Sequence, residues 1–248
     1  MNKTLAVVTR VIEFSETSCV VTLFSRDHGK ISGLAKGARR HKSPFEAALD
    51  LLAVCRIVFI HKSSDALDLL TEAKLERRFR SGQRDLTRLY AGYYVAELLN
   101  QLTHEDDPHP DLFEAADRTL AALDDALPIA QAVLGFEMTI LRELGHMPSL
   151  AACAECAAPL ESAARQAFGL LDGGLLCRRC KSGKPKIVSV RGEVIELLQR
   201  FAANSDDWLR TELPRGVHGE LRAVVNQYFA HLAGHPLRMP TYLGVLAS

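Results

Sequence analysis

The chain has 248 residues with 30 basic and 30 acidic side chains, so its formal net charge is zero, and 48% of its residues are hydrophobic. That is the balance of an ordinary globular protein, with enough chain for one large domain or two to three small modules. No stretch approaches the roughly eighteen uninterrupted apolar residues of a membrane span, and overall neutrality argues against a protein that coats nucleic acid over its whole surface.

The runs Thr4 to Phe14, Cys19 to Phe24 and Val54 to Ile60 are rich in Val, Ile and Thr and are punctuated by Ser15-Glu16-Thr17, Asp27-His28-Gly29 and Ser63-Ser64-Asp65. Short β-branched runs between such punctuation read as strands and turns. About five strands in roughly eighty residues fit a small closed barrel, most commonly the oligonucleotide-binding (OB) fold, with an SH3-like barrel as the alternative. Cys19 and Cys55 fall inside apolar runs and are expected in the core.

Between the early strands the segment Gly29 to Lys42 reads as a glycine-spaced basic loop. Lysines and arginines set between glycines suit a backbone that approaches phosphates closely, and the alternative is a loop that merely faces water. It is not a Walker loop, because Gly29-Lys30 is followed by Ile31 rather than Ser or Thr. From Arg26 to Lys42 six basic residues stand against Asp27 alone. A second basic run follows at Lys74, Arg77, Arg78, Arg80, Arg84 and Arg88, and a third at Arg178, Arg179, Lys181, Lys184, Lys186 and Arg191. The compensating acids concentrate between Glu105 and Asp125. Charge segregated in this way points to an anionic partner on one side of the molecule.

From Arg84 onward the period changes to that of helices. Leu86, Leu89, Tyr90, Tyr93, Leu98 and Leu102 mark one buried face, with the tyrosines expected in the core rather than as stacking platforms. Pro110 and Pro128 sit at helix starts, and Gly145 with Pro148 marks a stop. Two helices follow from this, one carrying Leu112, Phe113, Ala116, Leu120 and Leu123, the other Val133, Phe136, Ile140, Leu141 and Leu144. Later, Val194, Leu197, Leu198 and Phe201 predict a helix closed near Asn204, and Leu221, Val224, Val225, Tyr228, Phe229 and Leu232 predict another ending at Gly234, before a docked tail from His235-Pro236.

Between these helices lies the most specific signal in the chain. Cys153-x2-Cys156, twenty further residues and Cys177-x2-Cys180 form the paired knuckles of a tetrahedral zinc site. Gly169, Gly173 and Gly174 supply turns that bring the second knuckle back to the first. Four thiolates leave no open position, so the role is structural. Two disulfides are the competing reading; they require an oxidising compartment, and no long apolar secretory segment follows Met1-Asn2-Lys3-Thr4, so a cytoplasmic address is expected. No catalytic motif emerges: His104-Glu105 begins like a zincin but meets Pro108, and there is neither a G-x-S-x-G elbow nor a G-x-G-x-x-G turn.

Several of these pieces, in order, resemble the RecO family of bacterial recombination mediators: Ser15-Glu16-Thr17-Ser18, Gly29-Lys30, Ala35-Lys36-Gly37-Ala38-Arg39, Tyr90-x3-Tyr94, Glu97-Leu98-Leu99, Leu112-Phe113, Phe136-Glu137, Leu144-Gly145 and Pro148, then both cysteine pairs around Phe168 and Gly173-Gly174. The resemblance covers roughly residues 4 to 201 and implies an α+β protein: an N-terminal OB-fold barrel over residues 1–80, then a helical domain over 81–248 with an inserted four-cysteine zinc module at about 149–187. It further implies a non-enzymatic DNA-repair mediator, cytoplasmic and nucleoid-associated, that binds single- and double-stranded DNA, anneals complementary strands, and works with RecR and the C-terminal tail of the single-strand-binding protein SSB to load RecA. Arg10, Arg26, Lys30, Lys36, Arg39, Arg40 and Lys42 would then gather on one barrel face or its loops and follow a phosphate backbone without reading sequence. A protein-interaction scaffold built on a barrel and a zinc ribbon is the alternative.

Overall fold

The β-branched runs of the first third of the chain close into a five-stranded barrel. In the computed structural model, which describes residues 1–41, 43–45, 48–62, 66–125, 127–203, 211 and 213–243, the strands are β1 (Asn2–Glu13), β2 (Cys19–Ser25), β3 (Gly29–Ala35), β4 (Val54–Ile60) and β5 (Asp68–Arg77), closed in the order β1-β2-β3-β5-β4. All neighbouring pairs are antiparallel except β3 and β5, which run parallel over Gly33–Ala35 and Asp68–Leu70. This closure is that of the OB-fold class. Strand β1 serves two partners: Asn2 to Val7 pair with β4, while Ala6 to Glu13 pair with β2 across a register shift between Val8 and Arg10. The barrel is filled by Ala6, Val8, Val21, Leu23, Ile31, Ile57, Phe59 and Leu70 from the strands and by Phe45 and Ala48 from the β3–β4 connection. Burying a side chain the size of Phe45 or Phe59 contributes about 1.5–3 kcal/mol, so the long connection is anchored by what it plugs. Cys19 and Cys55 are buried with them.

One sequence-based expectation is corrected here. Gly29 to Ala35 is not a loop but strand β3, with Gly29, Ile31, Gly33 and Ala35 buried in strict alternation; only the residues after Ala35 form the basic loop. The period-2 signal is hidden because two of its inward positions are glycine, which has no side chain to register as apolar. At Gly29 the residue type is required: φ is +67°, and a Cβ would stand 2.5 Å from the Asp107 carbonyl oxygen.

Two helices share a compact unit, Met1–Ala126, with the barrel. Helix α1 (Leu86–Leu102) begins at Asp85, whose carboxylate accepts from the backbone N–H of Thr87 and Arg88. Its buried residues include Ala91, Tyr94, Val95, Leu98 and Leu99, while Leu86 is exposed. The helix is legible in the sequence, but the buried face is rotated from the one that Leu86, Leu89 and Tyr90 suggest. Helix α2 (Pro110–Asp124) starts on its proline and buries Leu112, Phe113, Ala116, Leu120 and Leu123 as the sequence pattern requires.

The second compact unit, Leu127–Ser248, is built on α3 (Ile129–Glu143), which buries Val133, Phe136, Ile140 and Leu141. A three-stranded antiparallel sheet follows, β6 (Arg165–Gly169), β7 (Gly174–Leu176) and β8 (Ile187–Arg191), in the order β7-β6-β8. Then come α4 (Gly192–Ala203), α5 (His218–Ala233) and the short α6 (Pro240–Leu243). Asn204, where closure of α4 is expected, lies outside the described residues. Helix α5 stops at Gly234 in the left-handed conformation, and Leu237 and Leu243 of the tail are buried, as the docked-tail reading requires. Glu137, fully buried on α3, is held by Arg222 of α5 through two hydrogen bonds of 2.9 and 2.5 Å, a fork that keeps a charge tolerable inside an apolar core. Among the described residues no helix is long and apolar enough to cross a membrane.

Candidate functional site

The four cysteines singled out by their spacing converge. The Sγ atoms of Cys153, Cys156, Cys177 and Cys180 all lie within 4.8 Å of one another, and those of Cys156 and Cys177 are 4.0 Å apart. A tetrahedron with metal–sulfur bonds of about 2.3 Å needs sulfurs about 3.8 Å apart, so the cluster is close to that geometry. Both knuckles close in the same way: Ala157 N–H donates to the Cys153 carbonyl at 2.8 Å, and Lys181 N–H to the Cys177 carbonyl at 3.0 Å. Strand β7 is laid against the first knuckle, with Ala154 N–H donating to the Leu175 carbonyl and Leu175 N–H to that of Ser149, both at 2.8 Å. That approach requires Gly174, where a Cβ would stand 2.5 Å from the Ser149 carbonyl oxygen. Lys184 ties the module further, its ammonium 2.8 Å from Glu155 and 2.6 Å from Asp172.

The sulfurs are electrostatically prepared for a cation. Burial pushes the Cys153 thiol up, but N–H groups of Cys177, Cys156 and Glu155 outweigh it and bring it down to about 6. The N–H of Cys180 lowers the Cys177 thiol, whereas the neighbouring sulfurs of Cys177 and Cys156 push Cys180 up to about 12. Four thiols this close do not all ionise without a positive charge among them, and a divalent cation bound by all four removes that conflict. None of the six cysteines is joined in a disulfide.

Of the seven cations expected to meet DNA, the fold sorts the six that are described by the partners it gives them. Lys30, on β3, donates to the Asn100 and Thr103 carbonyls at 3.0 and 2.6 Å, capping the C-terminus of α1, and burial lowers its pKa. Arg26 pairs with Glu114 at 2.9 Å and Arg39 with Glu13 at 3.1 Å. Arg10, Lys36 and Arg40 are exposed and have no ion pair among the described residues. Lys42 lies outside the described residues.

Three of these cations share a built surface. The loop after β3 is stitched to the tip of the β1–β2 hairpin: Arg39 N–H donates to the Thr17 carbonyl at 3.0 Å and Gly37 N–H to the Ser18 hydroxyl at 3.3 Å. At that tip Phe14 is 65% exposed, with its N–H on the Ser18 carbonyl. An open aromatic ring on the hairpin to which the basic loop is tied offers a stacking face on the element that anchors phosphate-neutralising charge. Sequence reasoning misses Phe14, because it ends an apolar run and looks like one more core residue; the signal is its place directly before Ser15-Glu16-Thr17-Ser18. In the third basic run Lys184 is engaged as above, and Arg191 with Glu220, Glu193 and the Gly216 carbonyl.

Comparison with known proteins gives the family. Residues 1–79 match the family described as "Recombination protein O N terminal" and residues 83–240 "Recombination protein O C terminal". Proteins named DNA repair protein RecO are similar over nearly the whole chain. That of Rhodopirellula baltica is 39% identical, covering 96% of this chain and 97% of its own. Those of Anaeromyxobacter dehalogenans and Halalkalibacterium halodurans are 32% and 27% identical, covering 97% and 100% of this chain and 95% and 96% of their own.

Proposed function

Because the chain belongs to the RecO family of DNA repair proteins, we propose that it is a non-enzymatic, cytoplasmic, nucleoid-associated recombination mediator that binds single- and double-stranded DNA through its barrel and anneals complementary strands. In this reading it works with RecR and the C-terminal tail of SSB, and assists RecA loading indirectly. The observation that carries the binding surface is the loop of Lys36, Arg39 and Arg40 held by backbone hydrogen bonds against the hairpin that exposes Phe14. Arg10 extends the charge, while Arg26 and Arg39 keep their pairs with Glu114 and Glu13 and shape the surface around the free cations. Lys30 acts through the helix it caps rather than on DNA.

Nothing on this surface needs covalent chemistry. Neutralised phosphates let two strands approach, base pairing supplies the drive, and a ring that stacks on any base holds a single strand without reading it. The four-cysteine cluster holds structural zinc, which keeps the β6–β8 module folded. Replacing Lys36, Arg39 and Arg40 together by Glu weakens binding of a labelled oligothymidylate and flattens its salt dependence, and Phe14→Ala weakens single-strand binding more than duplex binding. Oligonucleotide affinity unchanged in the triple variant would sink the assignment of this surface.

A further inference from the structure

The second basic run of the sequence takes no part in the loop surface, and the fold gives it a place of its own. Strand β5 ends in Arg77, the chain turns through Arg80 and a 3-10 turn at Ser81–Gln83 into α1, and the end of α2 brings Asp124 and Asp125 alongside. These segments wall a cleft of about 730 Å³ lined by four arginines, Arg77, Arg78, Arg80 and Arg84. Its volume lies within the range, about 300–1,000 Å³, of sites that enclose small-molecule-sized ligands.

The carboxylates nearby are mostly committed. Asp124 accepts the backbone N–H groups of Arg80 at 3.0 Å and Ser81 at 2.7 Å. Glu76 pairs with Arg56 at 2.8 Å, and Asp50 with Arg78 at 3.4 Å. Asp117 grips Arg77 through Nε and Nη2, which fixes the guanidinium plane, while its Nη1 is buried with no hydrogen-bond partner. Arg80 and Arg84 have neither an ion pair nor a hydrogen-bonded side chain among the described residues, and Asp125 is the one lining acid without a partner there. A buried guanidinium N–H without an acceptor, next to two free guanidinium groups, asks for an anion. Among the described residues no aromatic side chain lines the cleft, so it offers charge and forked donors but no stacking face, which suits phosphate oxygens rather than bases.

We propose that this cleft is a second phosphate site, which holds the sugar–phosphate backbone of a second strand while the loop surface holds the first. Both surfaces belong to the same compact unit, Met1–Ala126, so one molecule presents two strands to each other. The proposal rests on the reading of the loop surface as the first DNA site.

The test uses the full chain and a labelled oligothymidylate of about four nucleotides, short enough to favour one surface at a time and unable to pair with itself. Wild type binds two copies per protein. Arg80→Glu/Arg84→Glu binds one, with a salt slope lower by about 1.4, the value for two single-strand phosphate contacts. Lys36→Glu/Arg40→Glu loses the other copy, and far-UV circular dichroism checks that each variant is folded. One copy on wild type, lost in Lys36→Glu/Arg40→Glu and untouched in Arg80→Glu/Arg84→Glu, overturns the second site alone; no copy on wild type overturns the first reading as well. Inorganic phosphate in place of chloride at equal ionic strength separates the two sources of the anion. If phosphate raises the melting temperature of wild type but not of Arg80→Glu/Arg84→Glu while only one oligonucleotide binds, the cleft takes free phosphate and the second strand is excluded.

Discussion

The salt dependence of single-strand binding tests how the fold has sorted its cations. Six of the seven positions expected to meet DNA are described, and only Arg10, Lys36 and Arg40 among them have neither a carboxylate nor helix carbonyls as partners. With about 0.7 counterions released per single-strand phosphate contact, three contacts give a slope of log affinity against log salt of about −2, or roughly a twentyfold loss from 50 to 200 mM, whereas six give about −4 and about a 300-fold loss. The measurement is fluorescence anisotropy of labelled oligothymidylate on the Arg80→Gln/Arg84→Gln variant, in which the arginine cleft is disarmed. A slope near −4 would show that Arg26, Lys30 and Arg39 leave their partners to bind phosphate and would refute the sorting; a slope near zero would remove the electrostatic surface altogether.

Two further outcomes concern the second unit. Freshly purified protein carries one zinc ion per chain, and Cys153→Ser carries none and melts at lower temperature, as read by elemental analysis and thermal denaturation; wild-type protein without zinc would refute the four-cysteine site. Glu220 accepts from Arg165 Nη2 at 2.9 Å and from the Arg191 backbone N–H at 2.9 Å. Burial pushes its carboxyl up, but the Arg191 side chain and N–H and the charges of Arg165 and Arg191 outweigh it, holding the carboxyl below its usual 4.5. A carboxyl depressed by folding adds stability that is complete above its unfolded value and is lost as the pH falls through its folded one. Glu220→Gln therefore melts below wild type at neutral pH, and the two curves converge as the pH drops below 4.5 and through the depressed value; a constant gap across that range would show that the ion pairs are not the cause.

What the sequence discloses, and what it does not, divides along the range of the interactions involved. The cysteine knuckles are legible because the chemistry that demands them is local: two sulfurs three residues apart can serve one ion, and both turns close on hydrogen bonds between residues four apart. Helices α2 and α3 are legible because their apolar stripes are nearly unbroken and proline marks their starts. In α1 the stripe competes with Leu86, Leu89 and Tyr90 on other faces, and only packing decides that Tyr94, Val95 and Leu98 turn inward. Strand β3 is hidden by glycines at inward positions.

The cations show most clearly where local reading ends. A lysine in a glycine-spaced stretch has the same sequence signature whether it meets phosphate or a carbonyl seventy residues away, and the fold gives Lys30 the second role by bringing the end of α1 to β3. Conversely, the run from Lys74 to Arg88 reads in sequence as one more basic stretch facing an anionic partner, and only the fold shows that Asp117 and Asp124 of α2 tie it down at chosen atoms and leave the side chains of Arg80 and Arg84 without a partner among the described residues. Net charge along the chain therefore ranks segments wrongly. What predicts an anion site is the number of donors left over after the fold has assigned its own carboxylates and carbonyls, and that remainder is a property of tertiary contacts. On that measure the two surfaces of the first unit hold comparable free charge, as the proposed pairing of two anionic strands requires.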